Sequence, residues 1–151
     1  MSRLRFGMAV MGLSLPVLVS AGVLPFDACF ESASVRFGVD KRLIVAIAKT
    51  ESSLNPNAES PKNANGSYDI GMMQVNSGWL PALAKHGISH ADLKGGCTNI
   101  HVGAWILSQN ISRHGKTWKA VGAFNAVTTS KQVSYVSKVQ QNYELVANLV
   151  N

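Results

Sequence analysis

Glu51 follows an unbroken apolar run, Leu43-Ile44-Val45-Ala46-Ile47-Ala48, and stands just before a turn. On a 3.6-residue period Ile44, Ala48 and Glu51 share one helix face, so the acid extends an apolar stripe, away from Lys41 and Lys49. It also occupies the last helical turn, where the helix dipole disfavours a negative charge. Burial and dipole both raise a carboxyl pKa, and a raised glutamate is what a general acid needs near neutral pH. The competing reading is an ion pair between Glu51 and a lysine at the helix end, since perturbed carboxylates are structural as well as functional. Asp69 lies eighteen residues further on, in a polar loop. Two readings of it stay open. It faces Glu51 across a cleft, as the nucleophile or electrostatic stabiliser of a carboxylate pair, or it caps a short helix beginning at Ile70-Gly71.

The elements that must position these acids are mostly helical. Cys29 to Phe37 reads as a short helix stopped by Gly38, and Asp40 is placed to cap a second helix over Lys41–Ser52. Asn55-Pro56 ends that helix, because a residue before proline avoids the helical region. Residues 55–70 are rich in Asn, Pro, Ser and Gly and predict a long loop, with a short hairpin around Asn65-Gly66. A loop that long in a compact domain is usually functional. Helical patterns resume over Ser77–His86 and over Thr98–His114, where Ile100, Gly103, Ala104, Leu107 and Ile111 form one face. Thr117 is placed to cap Trp118–Asn125, and Ser130 a last helix to about Leu149. The expected fold is mainly α, a helical domain with a loop or short β-hairpin beside a cleft. Trp79, Trp105 and Trp118 are assigned to packing in preference to ligand stacking.

The first residues differ from the rest. Arg3 and Arg5 precede an apolar stretch from Phe6 to Val19, and Val19-Ser20-Ala21 has the small residues that a signal peptidase reads. The stretch is too short and broken to span a membrane comfortably. A secretory leader over residues 1–21 is expected, with the cut as late as residue 28, and therefore a periplasmic location. A domain over 29–145 and a tail over 146–151 complete the division. In an oxidising compartment the chain's two cysteines, Cys29 and Cys97, are expected to pair. His86, His90, His101 and His114 are scattered, without metal-ligand spacing, and no metal or cofactor is implied. Losing Arg3 and Arg5 with the leader lowers the formal charge from +6 to +4. That excess favours an anionic surface such as cell-wall polymer or lipid. Without a dense basic helix or aromatic-basic interleaving, nucleic-acid binding is not expected.

Three segments, in order, resemble the lytic transglycosylase family, enzymes of the lysozyme superfamily that cut peptidoglycan. They are Glu51-Ser52 with Asn55-Pro56 and Ser60-Pro61, then Gly71-Met72-Met73-Gln74-Val75-Asn76, then Ala123-Phe124-Asn125-Ala126. Tyr135-Val136-x-Lys138-Val139 is a weaker fourth match. Asn65 to Ile70 and Cys97 to Leu107 are similar to the small members that accompany type III and type IV secretion, conjugation and pilus machines. The resemblance spans about residues 29–143 and implies a lysozyme-like fold and a monomer acting on peptidoglycan strands. It makes Glu51 the acid/base, which protonates the glycosidic oxygen and then takes the C6-hydroxyl proton as a 1,6-anhydro ring closes. It gives Ser60 and Gln74 the positioning of the acetamido group and Glu51, and Met72 or Met73 the cleft floor. Asn125 would orient the sugar or Glu51, and Tyr135 would bond the carboxyl or the leaving group. Two departures stand out: Phe124 replaces the family's tyrosine, leaving its hydroxyl's work to Tyr68, Tyr135 or water, and Val127 replaces a frequent glycine. A hydrolysing muramidase using Glu51 and Asp69 is the alternative reading, and a non-catalytic peptidoglycan-binding assembly factor is a third.

Overall fold

A computed structural model describes residues 23–150; the expected leader, residues 1–21, lies outside the described residues. The order is α1 (Asp27–Phe37), α2 (Lys41–Ser52), β1 (Asp69–Ile70), β2 (Val75–Asn76), a 3-10 turn (Ser77–Trp79), then α3 (Leu80–Ala84) and α4 (His90–Leu93). Three longer helices follow, α5 (Gly96–His114), α6 (Trp118–Asn125) and α7 (Thr129–Leu145), with a 3-10 turn at Ala147–Leu149. The mainly helical class holds. No helix among the described residues is long and apolar enough to cross a membrane.

Helix α2 is the centre. Ile44, Val45, Ala46, Ile47 and Ala48 are all fully buried, so its middle is enclosed on every side rather than along one stripe. The Asp40 carboxylate accepts from the Arg42 N–H at 2.8 Å and starts the helix as expected. Helix α1 packs on α5, α5 on α6, α6 on α7, and α7 back along α2. Polar contacts pin α7 to α2: Arg42 Nε donates to the Tyr143 carbonyl at 2.6 Å, and Asn142 Nδ2 to Thr50 Oγ1 at 2.9 Å. Cys29 and Cys97 form the expected disulfide, joining α1 to the first turn of α5 with a Cα–Cα distance of 5.3 Å. The amino-terminal segment packs too, with Leu24 buried and the Phe26 ring against Gly96.

Several local expectations need correction. The hairpin does not turn at Asn65-Gly66: β1 and β2 pair antiparallel through Gly71–Gln74, with Asp69 opposite Asn76 and Ile70 opposite Val75. Asn65-Gly66 still forms a tight turn, Gly66 at φ 80°, closed by the Gly66 N–H to the Asn63 carbonyl at 2.9 Å. What is missing there is apolar sequence on both flanks to make strands. Helix α2 ends before Asn55-Pro56, because Ser53 and Leu54 both take left-handed conformations, at φ 55° and 66°. The stretch after β2 is a 3-10 turn and a five-residue helix, not one helix to His86. Helix α4 has no sequence-level counterpart above; a Ser89/Asp92 capping box holds it. Thr117 Oγ1 donates back to the His114 carbonyl and caps nothing, and Ser130 lies inside α7, which stops at Leu145. Val146, expected in a tail, is buried.

Candidate active site

A cleft of about 580 Å³ opens between the hairpin and the α6–α7 connection, and both Glu51 and Asp69 line it. A larger, mostly apolar groove of about 800 Å³ is walled by Phe37, His101 and Trp105 on α1 and α5. It contains neither carboxylate, so the candidate site is the smaller, polar cleft.

Glu51 reaches the cleft from the end of α2, half-buried. Its Oε1 accepts from the Tyr135 hydroxyl at 2.6 Å, across 84 positions of sequence. Loss of solvation dominates its titration and lifts the carboxyl to about 7, helped by the negative charge of Asp69 and opposed by the Tyr135 hydrogen bond. Tyr135 is itself buried, and burial with the Glu51 charge pushes its hydroxyl well above the usual phenol range. It therefore remains a donor throughout the working pH range. No ion pair of the described residues involves Glu51, which removes the lysine-paired reading. A half-buried carboxyl at about 7, with one oxygen held and its pocket open to a polar cleft, is equipped to give and take back a proton.

Asp69 belongs to β1 and caps no helix; residues 71–74 form a turn. Asn76 Nδ2 donates to its Oδ1 at 2.8 Å, and Ser60 Oγ lies 3.3 Å from Oδ2 while accepting the Asp69 N–H at 2.9 Å. These contacts fix the carboxylate in the cleft Glu51 lines. Ser60 thus acts on Asp69 and is not itself a lining residue. It arrives through the left-handed turn at Ser53-Leu54, which folds residues 58–60 back along β1: Glu59 bridges Ile70, and Ser60 N–H donates to the Asp69 carbonyl at 3.0 Å.

Gln74 lines the cleft with its backbone at φ 47°, its amide nitrogen anchored to the Gly71 and Ala58 carbonyls at 2.9 and 3.2 Å. Asn125, exposed at the end of α6, lines the opposite wall beside Phe124. Met72 and Met73 are fully buried and do not form the cleft surface. They belong to the layer beneath: Met73 packs onto Gly103, where any side chain would collide with it, and the Met72 carbonyl accepts from Ser52 Oγ at 2.8 Å. Tyr68 does not replace the missing tyrosine hydroxyl, since its own lies 3.2 Å from His90 Nε2. The phenol on the acid is Tyr135. Trp79 lines the cleft, edge-on to Trp105 with ring centroids 5.5 Å apart, and Trp118 is 43% exposed; neither is the plain core residue expected.

Sequence reasoning missed two residues. Asn76 was visible only as the end of a motif, and its hold on Asp69 needs the strand pairing. Asn99 is fully buried on α5 and carries the hairpin: Oδ1 accepts the Met73 N–H at 2.7 Å, and Nδ2 donates to the Ile70 and Leu93 carbonyls at 2.8 and 2.9 Å. Gly71, at φ 75°, lies so close to that amide that a Cβ would clash. A polar residue among the apolar residues at the start of α5 is the signal that could have found Asn99. Among the described residues no three His, Cys, Asp or Glu side chains are grouped to hold a metal ion.

A family model described as "Transglycosylase SLT domain" matches residues 28–145. Invasion protein IagB of Salmonella typhimurium (strain SL1344) is 39% identical over 120 residues, covering 76% of this chain and 74% of the relative. A peptidoglycan-binding-like protein of Escherichia coli O157:H7 is 33% identical over 149 residues, covering 91% and 89%. Protein IpgF of Shigella flexneri is 33% identical over 124 residues, covering 79% and 81%.

Proposed function

Because the chain belongs to the transglycosylase SLT-domain family, we propose that it is an exported peptidoglycan lytic transglycosylase acting with Glu51 as its single acid/base. The observation that carries this reading is the Glu51 carboxyl, raised by burial to about 7 and held by Tyr135 in a polar cleft. Protonated Glu51 gives its proton to the oxygen between N-acetylmuramic acid and N-acetylglucosamine as the C1–O bond breaks. The substrate's acetamido group stabilises the developing cation. Glu51, now a carboxylate, takes the proton of the C6 hydroxyl as that oxygen bonds to C1, and the 1,6-anhydro product forms without water. Tyr135 steadies the carboxylate in the interval, Gln74 and Asn125 bind the sugars from either wall, and no cofactor is needed.

The same reading places the protein in the periplasm, as a monomer, opening the wall locally for a secretion, conjugation or pilus apparatus. The similarity to an invasion protein supports such an association. A second reading has a specific observation behind it. Asp69, fixed by Asn76 and Ser60, lines the cleft with Glu51, and its charge contributes to the raised Glu51. A hydrolysing muramidase would use it as nucleophile or stabiliser. Product mass separates the two. Digestion of purified sacculi by the oxidised protein, with Glu51→Gln as control, should release muropeptides lighter by one water. Hydrated reducing ends would assign hydrolysis and Asp69. Release that persists in Glu51→Gln would overturn the assignment of the acid.

A further inference from the structure

The cleft holds one cation that this reaction leaves idle. Lys131 lines it beside Asn125, Val127 and Thr128, and it is the only Lys or Arg among the described lining residues. Its side chain is exposed, and the four ion pairs of the described residues all lie elsewhere. Folding does not account for a lysine here. It occupies the first turn of α7, which has no acidic residue in that turn and no side-chain cap. The helix dipole is unfavourable to a cation at that end. Asp69, the other charged group on the hairpin side of the cleft, makes no ion pair with it and is held by Asn76 and Ser60.

Peptidoglycan differs from a neutral N-acetylglucosamine polymer in one respect that a lysine can read: the lactyl arm of each muramic acid bears carboxylate chemistry. The arm ends in a free carboxylate on denuded glycan, and in the carboxylates of a peptide stem on intact strands. Resting on the transglycosylase reading above, we propose that Lys131 is a specificity-determining residue whose ammonium pairs with a carboxylate carried on the muramyl arm. Its four-carbon stem and exposed position give it the reach and freedom to follow such an arm outside the sugar-binding floor. Glu51 works on the bond; Lys131 selects the polymer.

The test uses the Glu51→Gln protein, so that glycans bind without turnover. Calorimetric titration at low salt would compare three soluble muramyl tetrasaccharides. One bears peptide stems, one free lactyl carboxylates, and one lactyl methylamides, which are neutral. At least one carboxylate-bearing form should bind about fivefold more tightly than the methylamide, near the upper end for an exposed ion pair, and high salt should erase the difference. A preference confined to stems identifies the stem carboxylate as the ligand; a preference shared by the free lactyl form identifies the lactyl group. Lys131→Met should abolish the preference, Lys131→Arg should keep it, and Lys138→Met, the same charge change elsewhere on α7, should leave it intact. Equal binding of all three glycans, or a preference that survives Lys131→Met, overturns the role of Lys131 and leaves the transglycosylase reading standing. Failure to bind any of them overturns that reading and this one with it.

Discussion

Replacing the acid should stabilise this protein, and only above a definite pH. Burial raises the folded Glu51 carboxyl to about 7, against an ordinary 4.5 when exposed. The folded chain therefore holds a proton more tightly than the unfolded chain, and stability falls as pH rises from about 4.5 to about 7, then levels off. A gap of about 2.5 pH units at about 1.36 kcal/mol each amounts to about 3 kcal/mol of destabilisation on the alkaline side. Glu51→Gln keeps the shape, has an oxygen for the Tyr135 hydroxyl, and cannot ionise. At pH 4 the two proteins should differ only by the pH-independent effect of the swap. At pH 8.5 the variant should gain up to about 3 kcal/mol relative to that baseline, about 6–12 °C in midpoint for a chain of this size. Thermal and urea unfolding of the oxidised proteins at both pH values reads the difference, because every other titrating group is common to both. A stability difference that is the same at pH 4 and pH 8.5 would refute the claim that burial sets the Glu51 proton affinity, and with it the physical basis for its role as the acid.

Asp69→Asn removes the charge that helps raise Glu51, so the alkaline limb of the pH–rate profile should move to lower pH. Retained turnover in the folded variant would limit Asp69 to tuning, whereas a loss of a hundredfold or more would make it a participant. Tyr135→Phe removes a hydrogen bond that favours the carboxylate, and should move the same limb upward by about one to two pH units, the equivalent of a charged hydrogen bond of about 1.5–3 kcal/mol; an unmoved limb would show that this bond does not set the acid. Asn99→Ala strips three buried hydrogen bonds from the hairpin and should destabilise by about 2–4 kcal/mol while lowering turnover, as unfolding curves and sacculus digestion would report. Reduction of the Cys29–Cys97 bridge, which closes a separation of 68 residues, should lower stability by about 4 kcal/mol on the chain-entropy account, and an unchanged denaturant midpoint would contradict it.

The sequence was most legible where local signals and burial agree. Helix α2 starts at an Asp cap and carries an apolar middle, which locate its beginning and its course; its end at Ser52 matches the expectation, although left-handed Ser53 and Leu54, and not Asn55-Pro56, make it. The disulfide followed from having two cysteines and an expected oxidising compartment. The acid at the end of α2 was legible as an anomaly, because a carboxylate that continues an apolar run must be neutralised, paired or functional. Its actual partner was less so. Tyr135 could be aligned with a motif, but only the packing of α7 along α2 brings that hydroxyl to Oε1.

The misreadings share a physical cause: the features around the cleft are set by non-local contacts that override local preference. Asn65-Gly66 is the strongest turn signal in the chain and does make a turn, yet strand pairing went to the Gly71–Gln74 turn, which α5 supports through Asn99 and Gly103. Ser53 and Leu54 adopt left-handed conformations without a glycine, a strain of roughly 1–2 kcal/mol per residue that no propensity scale would assign there. That strain has a counterpart in what it positions. The reversal it makes immediately after Glu51 returns residues 58–60 to β1, and Ser60 then takes hold of Asp69. Met72 and Met73 illustrate the converse. Their motif placed them at the cleft, but both side chains are drawn wholly inward: Met73 packs on α5 at Gly103, and the backbone carbonyl of Met72 ties the hairpin to Ser52 of α2. The cleft floor therefore shows backbone, Gln74 and Asn76 to the ligand, with sulfur beneath. The two carboxylates are thus held by different means: Glu51 by the enclosed helix and the Tyr135 hydroxyl, and Asp69 by a hairpin that Asn99 ties to α5.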